Sequence, residues 1–578
     1  MIAKIEHILG KNKYTKFKVF LFANIINFFL EFTSLISIPI FVASILSPEL
    51  VFEKLKSILI TLNINSTQLD INNIVSAAAI LVVLSFYLKN FFLSFIIYRE
   101  KKFYKNFNTN LSKLFFDYYM AMPYLKHTKK NPSELVRTTL HDVRHTASYL
   151  EFVSILARDV VALFVILIIM LSVNILNAIL IFSFFLILIL FYFSFMKPKI
   201  RSWGKLNQEI SSKIIKTLYE SYGSIKDIKI LSKEQEVKDK FYEKINKYET
   251  NHFFWDLSNK FPKIILEIIA VTLILLISYI YYYIYKDTQT LFNLLSVYVV
   301  LVIRFIPAFN SLTTSFGYLR MFSPSVEFIS KELNNINKDR YSQNLNIFQK
   351  NDEHFNNEFI KISNLSFKYP NSNFKSLENI SLKINKGSIV GIMGPTGSGK
   401  TTFFHLMLGL ISPEKGNIFF EGKSIFTDID LWRKETGHIS QNIFLLDDTI
   451  KNNITFNLSN NEDDEKRLAQ AIEIANLNDK LDSLPKGLET RVGVDGLELS
   501  GGERQRIAIA RTLYKNPNII FMDEFTSALD IKTEELILQK LMKYKNNKTI
   551  IIITHRTSTL KYCNVKFLLK EGSISKID

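Results

Sequence analysis

Six long apolar stretches divide the first 310 positions of the chain: Val19 to Leu46, Ile74 to Ile97, Leu150 to Leu171, Ile175 to Phe195, Ile264 to Ile284 and Leu291 to Phe309. Each is close to the roughly 20 residues a helix needs to cross a bilayer core. The pattern predicts six transmembrane helices. Their connections alternate in length, short after the third and fifth stretches and long after the second and fourth. About 50 polar residues between the second and third stretches predict an out-and-back helical hairpin reaching roughly 35 Å at 1.5 Å per residue. Its tip is expected at "KKNPSEL", Lys129 to Leu135, and that of the second hairpin at "YGSIKDIKIL", Tyr222 to Leu231. In the first short-side loop, Phe52 to Ile64 alternates apolar and charged residues at helical spacing, which suits a helix lying on the membrane surface. Beyond the sixth stretch, Ser323 to Phe359 is rich in Asn, Lys, Asp and Glu and reads as a linker. The expected organisation is a membrane domain over 1–322, a linker over 323–359 and a soluble domain over 360–578.

Composition agrees with two unlike halves: 48% of residues are hydrophobic, 49 of the 578 are Phe, and 22% are still charged. The net charge of +17 invites a nucleic-acid reading, but cytoplasmic loops of membrane proteins collect Lys and Arg. No nucleic-acid partner is expected. Lys4, Lys11, Lys13, Lys16 and Lys18 precede the first stretch, whereas the loop after it holds Glu49, Glu53 and Asp70 against Lys54 and Lys56. The N-terminus is therefore expected inside, together with the soluble half. The first stretch is too long and too weakly bounded for a signal peptide. Cys563 is the sole cysteine, so neither an intrachain disulfide nor a cysteine metal cluster is possible.

The soluble half carries the chemistry. In "GSIVGIMGPTGSGKTTFFHLMLGL", Gly387 to Leu410, an apolar strand runs into Gly394-Pro395-Thr396-Gly397-Ser398-Gly399-Lys400-Thr401 and then a helix with one apolar face. Glycines let backbone amides turn inward around phosphates, Lys400 reaches the terminal phosphates, and Thr401, followed by Thr402, is placed for Mg²⁺. The expected cofactors are ATP and Mg²⁺. Downstream, "NIIFMDE", Asn518 to Glu524, is an apolar strand ending in two carboxylates. Asp523 suits the Mg²⁺ shell, and Glu524 suits a base that positions the attacking water. A further stretch, "LELSGGERQR", Leu497 to Arg506, also suits an anion at a helix start, about a hundred residues away from the first phosphate binder.

Taken in order, these motifs resemble the ATP-binding cassette exporters. The series comprises the phosphate loop, "HISQN" with Gln441, "LSGGE", the Asp523 and Glu524 strand, "SALD" with Asp530, and "ITHR" with His555. The resemblance covers essentially the whole length and implies a half-transporter: six helices, then one α/β P-loop cassette. It also implies that two copies work head to tail, with Ser500, Gly501, Gly502 and the adjoining Glu503 capping ATP held on the partner's phosphate loop. By the same resemblance Tyr369 in "FKYP" stacks on adenine, Gln441 senses Mg²⁺, and His555 contacts the terminal phosphate. Two positions depart from the pattern. Glu503 stands where the family usually has Gln, and Val494 stands where many exporters place a Glu associated with the coupling loops.

Cargo is read from charges in the apolar stretches, because a cation at mid-bilayer is costly, roughly 2.5 to 3.5 kcal/mol on insertion scales. Lys89, Lys263 and Arg304 are such cations and are candidates to line a cavity for a phosphorylated anion. Snorkelling and internal pairing with Glu267 or Glu31 are the competing accounts. The outer segment, Lys89, "FPKIILE" and "RFIPAF" are similar to bacterial flippases of lipid-linked oligosaccharides. This resemblance implies a polyprenyl-pyrophosphate substrate at the bacterial cytoplasmic membrane. Another lipid, a peptide or an ATP-regulated channel on the same fold are the alternatives, with a leader-peptide exporter disfavoured because no peptidase domain precedes the first stretch.

Overall fold

The computed structural model describes all residues except 1, 47, 50, 52, 54–70, 174, 281, 284–287, 346–358, 371, 457–461, 494–495, 497–498, 527, 545–547 and 578. The chain forms two compact units, Met1–Met122 with Thr128–Tyr341, and Pro123–His127 with Ser342–Asp578.

In the first unit, an opening helix, Ile2–Leu9, buries Ile5, Ile8 and Leu9 against Phe17 and Phe107. Six long helices follow: α1 (Lys11–Leu46), α2 (Ile71–Ala121), α3 (Val143–Val173), α4 (Ile175–Gly223), α5 (Glu234–Ile280) and α6 (Thr288–Leu345). Each carries one of the six apolar stretches; the end of the fifth, at Ile284, lies outside the described residues, as does most of Phe52 to Ile64. Four described stretches, Lys11–Ile45, Val75–Ala121, Pro132–Ser172 and Glu234–Ile280, are long and apolar enough to cross a membrane.

The linker reading needs correction, because Ser323 to Leu345 continues α6 as helix. Val326, Ile329, Leu333 and Ile336 recur at helical spacing and pack into the core of the long hairpin, so periodicity outweighs the polar composition. Polar partners fix the same face over long sequence separations. The Tyr118 hydroxyl donates to Asp339 at 2.8 Å across 221 positions, and Lys130 Nζ to Glu332 at 2.8 Å across 202.

At the first hairpin tip, the return helix Pro132–Arg137 starts inside the expected turn. Proline occupies its first position, and the Asn131 side chain accepts from the Ser133 amide at 3.1 Å. The preceding four-residue helix Tyr124–His127 belongs to the second unit: Leu125 packs on that unit's core, and the Tyr124 ring meets His405 edge-on at 5.2 Å. A π-helical turn, Thr138–Asp142, joins Pro132–Arg137 to α3. Buried Asp142 accepts there from Arg137 (3.0 Å), Gln208 (2.8 Å) and Ser325 (2.7 Å), tying three helical segments together. At the second tip, the short helix Ile225–Ile230 falls inside the expected turn.

The second unit holds two sheets. An antiparallel sheet pairs β1 (Ile360–Phe367), β2 (Leu377–Ile384), β4 (Lys415–Phe420) and β5 (Lys423–Ser424) in the order β2-β1-β4-β5. The other contains β3 (Ile389–Met393), β6 (Thr436–Ile439), β7 (Ile519–Asp523), β8 (Thr549–Ile553), β9 (Val565–Lys570) and β10 (Ser573–Ile577), in the order β10-β9-β3-β8-β7-β6. All of its pairings are parallel except β9 with β10. Strands β3, β7 and β8 are almost continuous Ile, Val, Phe and Met, as a parallel sheet covered on both faces demands. Helices α7 (Lys400–Met407), α8 (Gly501–Tyr514) and α9 (Ile531–Tyr544) position the residues considered next.

Candidate functional site

Strands β3, β8, β7 and β6 are consecutive and parallel, so their carboxyl ends share one edge of the sheet, where ligands of open α/β sheets bind. Each end delivers part of the candidate site. After β3 comes the phosphate loop. Gly394 lies so close to β9 that an added Cβ would stand 2.1 Å from the Leu569 carbonyl oxygen. Gly397 (φ 83°) and Gly399 (φ 103°) take left-handed backbone that turns successive amides inward. Lys400 opens α7 and curls over its own loop, Nζ donating to the carbonyls of Gly394 (2.8 Å) and Pro395 (2.9 Å). Burial lowers its pKa, opposed by the charges of Glu524 and Asp523.

From the other three strand ends come the polar groups facing the loop. Asp523 closes β7, its pKa raised by burial and then by Glu524, against the pull of Lys400. Glu524 follows at φ 45°, a strained left-handed conformation held by its amide, which donates to Ile553 O of β8 at 3.0 Å. Its two carboxylate oxygens are spoken for. Oε2 accepts from Gln441 Nε2, just past β6, at 2.7 Å, and Oε1 lies 2.9 Å from Nε2 of His555, just past β8. Gln441, Glu524 and His555 thus form a continuous polar chain along the sheet edge. The segment after His555 is anchored by buried Glu534 of α9, which accepts from Arg556 and, at 2.7 Å, from the Thr559 hydroxyl.

These groups line one cavity of about 800 Å³ with Thr396, Gly397, Gly399, Lys400, Thr401 and Thr402. The donor set fits a nucleotide: Ser398 is only 5% exposed, yet its hydroxyl has no hydrogen-bond partner among the described residues. Mg²⁺ fits beside Thr401, Gln441 and Asp523. No group of three His, Cys, Asp or Glu forms among the described residues, so such an ion would take most of its oxygens from phosphate and water. Tyr369 sits apart from the polar chain, its ring edge-on to Phe367 at 5.0 Å and its hydroxyl 3.3 Å from Thr402 Oγ1. Sequence reasoning missed Phe374, Lys375 and the β9–β10 turn, Glu571 and Gly572, which also line the cavity. The Gly572 amide donates to Ser398 O at 3.3 Å, a contact across 174 positions for which no local motif exists.

The second anion motif lies on another element. Ser500 caps α8: its hydroxyl accepts from the Glu503 amide (3.3 Å), while Glu503 Oε2 accepts from the Ser500 amide (2.8 Å). Burial pushes the Glu503 pKa up, but the Ser500 amide and Lys480, 3.0 Å away, hold it below the ordinary value. The departure from Gln is therefore a reciprocal helix cap. Gly501 and Gly502 pack against Ala528, and the Ala528 amide donates to Gln505 at 3.1 Å. Asp530 caps α9 through the Thr533 amide (3.0 Å) and hydroxyl (2.7 Å). Val494 lies outside the described residues.

The three membrane cations part company. Lys89 is 4% exposed and paired with Glu31 at 2.5 Å, so internal pairing, not an open cavity, accounts for it. Lys263 is exposed and 3.7 Å from Glu267, one turn on. Arg304 is exposed, its guanidinium 5.6 Å from the centre of the Phe86 ring.

The sequence matches the ABC transporter transmembrane region over residues 41–309 and the ABC transporter domain over 377–527, nearly three-quarters of the chain between them. The chain belongs to the ABC transporters. In this family the cassette hydrolyses ATP to drive transport. Among curated relatives, the probable multidrug resistance ABC transporter ATP-binding/permease protein YheI of Bacillus subtilis (strain 168) is 39% identical over 218 residues, 38% of this chain and 37% of that protein. An ATP-dependent lipid A-core flippase of Cupriavidus metallidurans is 36% identical over 216 residues, 37% and 36% of the two. The alpha-hemolysin translocation ATP-binding protein HlyB of Escherichia coli O157:H7 is 38% identical over 218 residues, 38% and 31%. The chain thus spans about a third of the length of the curated relatives it matches. A bacterial Atm1-family ABC exporter solved with ATP bound matches 96% of this ABC transporter and 94% of its own chain, with a TM-score of 0.72 and 21% identity. That likeness establishes a shared exporter fold: a helical membrane domain followed by an α/β cassette.

Proposed function

We propose that this ABC transporter works as a pair of identical chains that hydrolyse ATP to flip a polyprenyl-pyrophosphate-linked oligosaccharide across the bacterial cytoplasmic membrane. The observation that carries the ATP-driven part is the chain Gln441–Glu524–His555 facing the phosphate loop across one cavity. Lys400 exchanges the Gly394 and Pro395 carbonyls for phosphate oxygens. Glu524 then holds the attacking water, oriented by Gln441 and His555 on either side. Mg²⁺, when bound, would supply charge neutralisation at the phosphates, and Asp523, Thr401 and Gln441 are the residues that would hold it. Ser500, Gly501 and Gly502, seated on α8 and braced on Ala528, serve the site of the second copy.

Support for the cargo is more indirect. Lys263 and Arg304 present exposed positive charge on membrane helices, which suits a pyrophosphate, and two relatives are named lipid A-core flippases. Purified protein in lipid, assayed for ATPase stimulation and turnover across lipid-linked sugars, phospholipids and peptides, tests the reading. Stimulation and flipping by lipid-linked sugar, reduced by Arg304→Gln with basal ATPase intact, is the expected result. Stimulation by peptide or phospholipid alone would replace the cargo, and ATP turnover without movement of any of them would favour a gated channel.

A further inference from the structure

The phosphate loop makes one part of the nucleotide cavity, and Asp523 with the Gln441–Glu524–His555 chain makes another. The remaining lining comes from two segments: Ser372, Phe374, Lys375 and Ser376 between β1 and β2, and the pair Glu571 and Gly572 between β9 and β10. Backbone contacts lock both to the phosphate loop. Gly572 donates its amide to Ser398 O at 3.3 Å and accepts from the Glu378 amide at 2.9 Å, while a Cβ on Gly399 would stand 2.6 Å from Ser376 O.

These segments offer groups that a phosphate does not need. Phe374 is 82% exposed, and no other aromatic ring packs on it among the described residues. Its backbone is nevertheless fixed, because the Ser372 hydroxyl accepts from the Phe374 amide at 3.1 Å and donates to the Phe374 carbonyl at 2.8 Å. Tyr369, by contrast, is not part of the described lining and has its ring against Phe367 and its hydroxyl at Thr402. Glu571 (φ 50°) and Gly572 (φ 75°) form a two-residue hairpin turn. In the comparable turn between β4 and β5, Glu421 lies 3.9 Å from Lys386. Glu571 is exposed and has no ion-pair or hydrogen-bond partner among the described residues, and Lys375 is taken by Glu378 at 2.6 Å. An ionised carboxylate only accepts hydrogen bonds, and a nucleotide carries suitable donors next to its phosphates, the ribose hydroxyls.

We propose that Phe374 and Glu571 hold the nucleoside of ATP, the Phe374 ring on a face of the base and the Glu571 carboxylate on the ribose hydroxyls. Phe374 thereby takes the stacking role expected of Tyr369, and Glu571 makes the site selective for ribonucleotides. With the phosphates on Lys400 and Thr401, and with Asp523, Glu524, Gln441 and His555 around the terminal one, this is the part of the lining left for the nucleoside.

Steady-state hydrolysis by the full-length protein in lipid tests this, with ATP and 2′,3′-dideoxy-ATP as substrates and inorganic tripolyphosphate as competitive inhibitor. Phe374→Leu keeps apolar bulk and loses the aromatic face. It should raise the KM of both nucleotides about fivefold or more and leave the Ki of tripolyphosphate in place, and Phe374→Trp should restore the KM. Wild type should favour ATP over dideoxy-ATP, and Glu571→Asn, which suits the left-handed turn but withdraws the charge, should abolish that preference. An unchanged KM in Phe374→Leu, or a tripolyphosphate Ki that rises in parallel with it, overturns the base contact. A raised KM in Tyr369→Ala but not in Phe374→Leu returns the stacking to Tyr369 and also overturns it. Equal KM for the two nucleotides in wild type, or a preference that survives Glu571→Asn, overturns the ribose contact.

Discussion

Glu524 is a non-glycine residue at φ 45° whose two oxygens already have the partners they need to aim a water. Glu524→Gln keeps the shape and removes the charge. ATP binding should survive while hydrolysis falls about 10²-fold or more, the usual yield of a positioned acid or base. Near-normal turnover would remove Glu524 from the role. Beside it, Asp523 has a raised pKa, caused first by burial. An acid raised in the folded state adds stability that is full below its unfolded value and lost as pH rises through the folded one. Without Mg²⁺, thermal stability should therefore fall with pH just above the ordinary aspartate range, and Asp523→Asn should flatten that slope. Lys89 makes a different case. Its charge and Glu31 as a pairing candidate were both legible in the sequence; which cation Glu31 takes was not, because it lies 58 positions from Lys89 on another helix. Lys89→Met should destabilise the protein by about 3 to 5 kcal/mol by stranding Glu31, and Lys89→Met with Glu31→Met should recover most of it. Thermal unfolding of the two variants in lipid measures this; a double variant as weak as the single would contradict the pairing.

At the scale of elements, the apolar stretches were plain in the sequence because a helix in lipid needs a long uninterrupted run, and among the described residues four of the helices that carry them are long and apolar enough to cross a membrane. The last third of α6 was not. Its Val326, Ile329, Leu333 and Ile336 are sparse among polar residues, and composition hid the period that burial obeys. The signature motif was legible twice over: Ser500 and Glu503, three apart, are the spacing of a reciprocal cap, though the glycines drew attention to phosphate. Glu503→Ala should open the first turn of α8 by about 1 kcal/mol, read as faster hydrogen exchange at Gly501 to Arg504. Glu503→Gln keeps the acceptor for the Ser500 amide and loses only a partly exposed ion pair with Lys480, so protection there should change by less than about 1 kcal/mol. The β9–β10 turn at the cavity remained unread, because Glu571 and Gly572 gain meaning only from the sheet order that brings β9 beside β3.

For the whole molecule, one chain carries a phosphate loop and a signature helix on separate elements. If two copies share each site, Lys400→Ala chains mixed with Ser500→Arg chains should regain hydrolysis that neither variant has alone. In the mixed pair one site loses both groups and the other keeps both. Full activity of an isolated single chain would contradict the sharing. The membrane unit has its own dependence on what comes late. Tyr118 and Lys130 find Asp339 and Glu332 on the last helix, 221 and 202 positions further along. At about 5 to 20 residues per second of synthesis, the first hairpin stands without those partners for ~10–40 s. During that interval its polar face is open to chaperones and membrane proteases, and a nascent chain stopped short of Asp339 is a ready target for degradation.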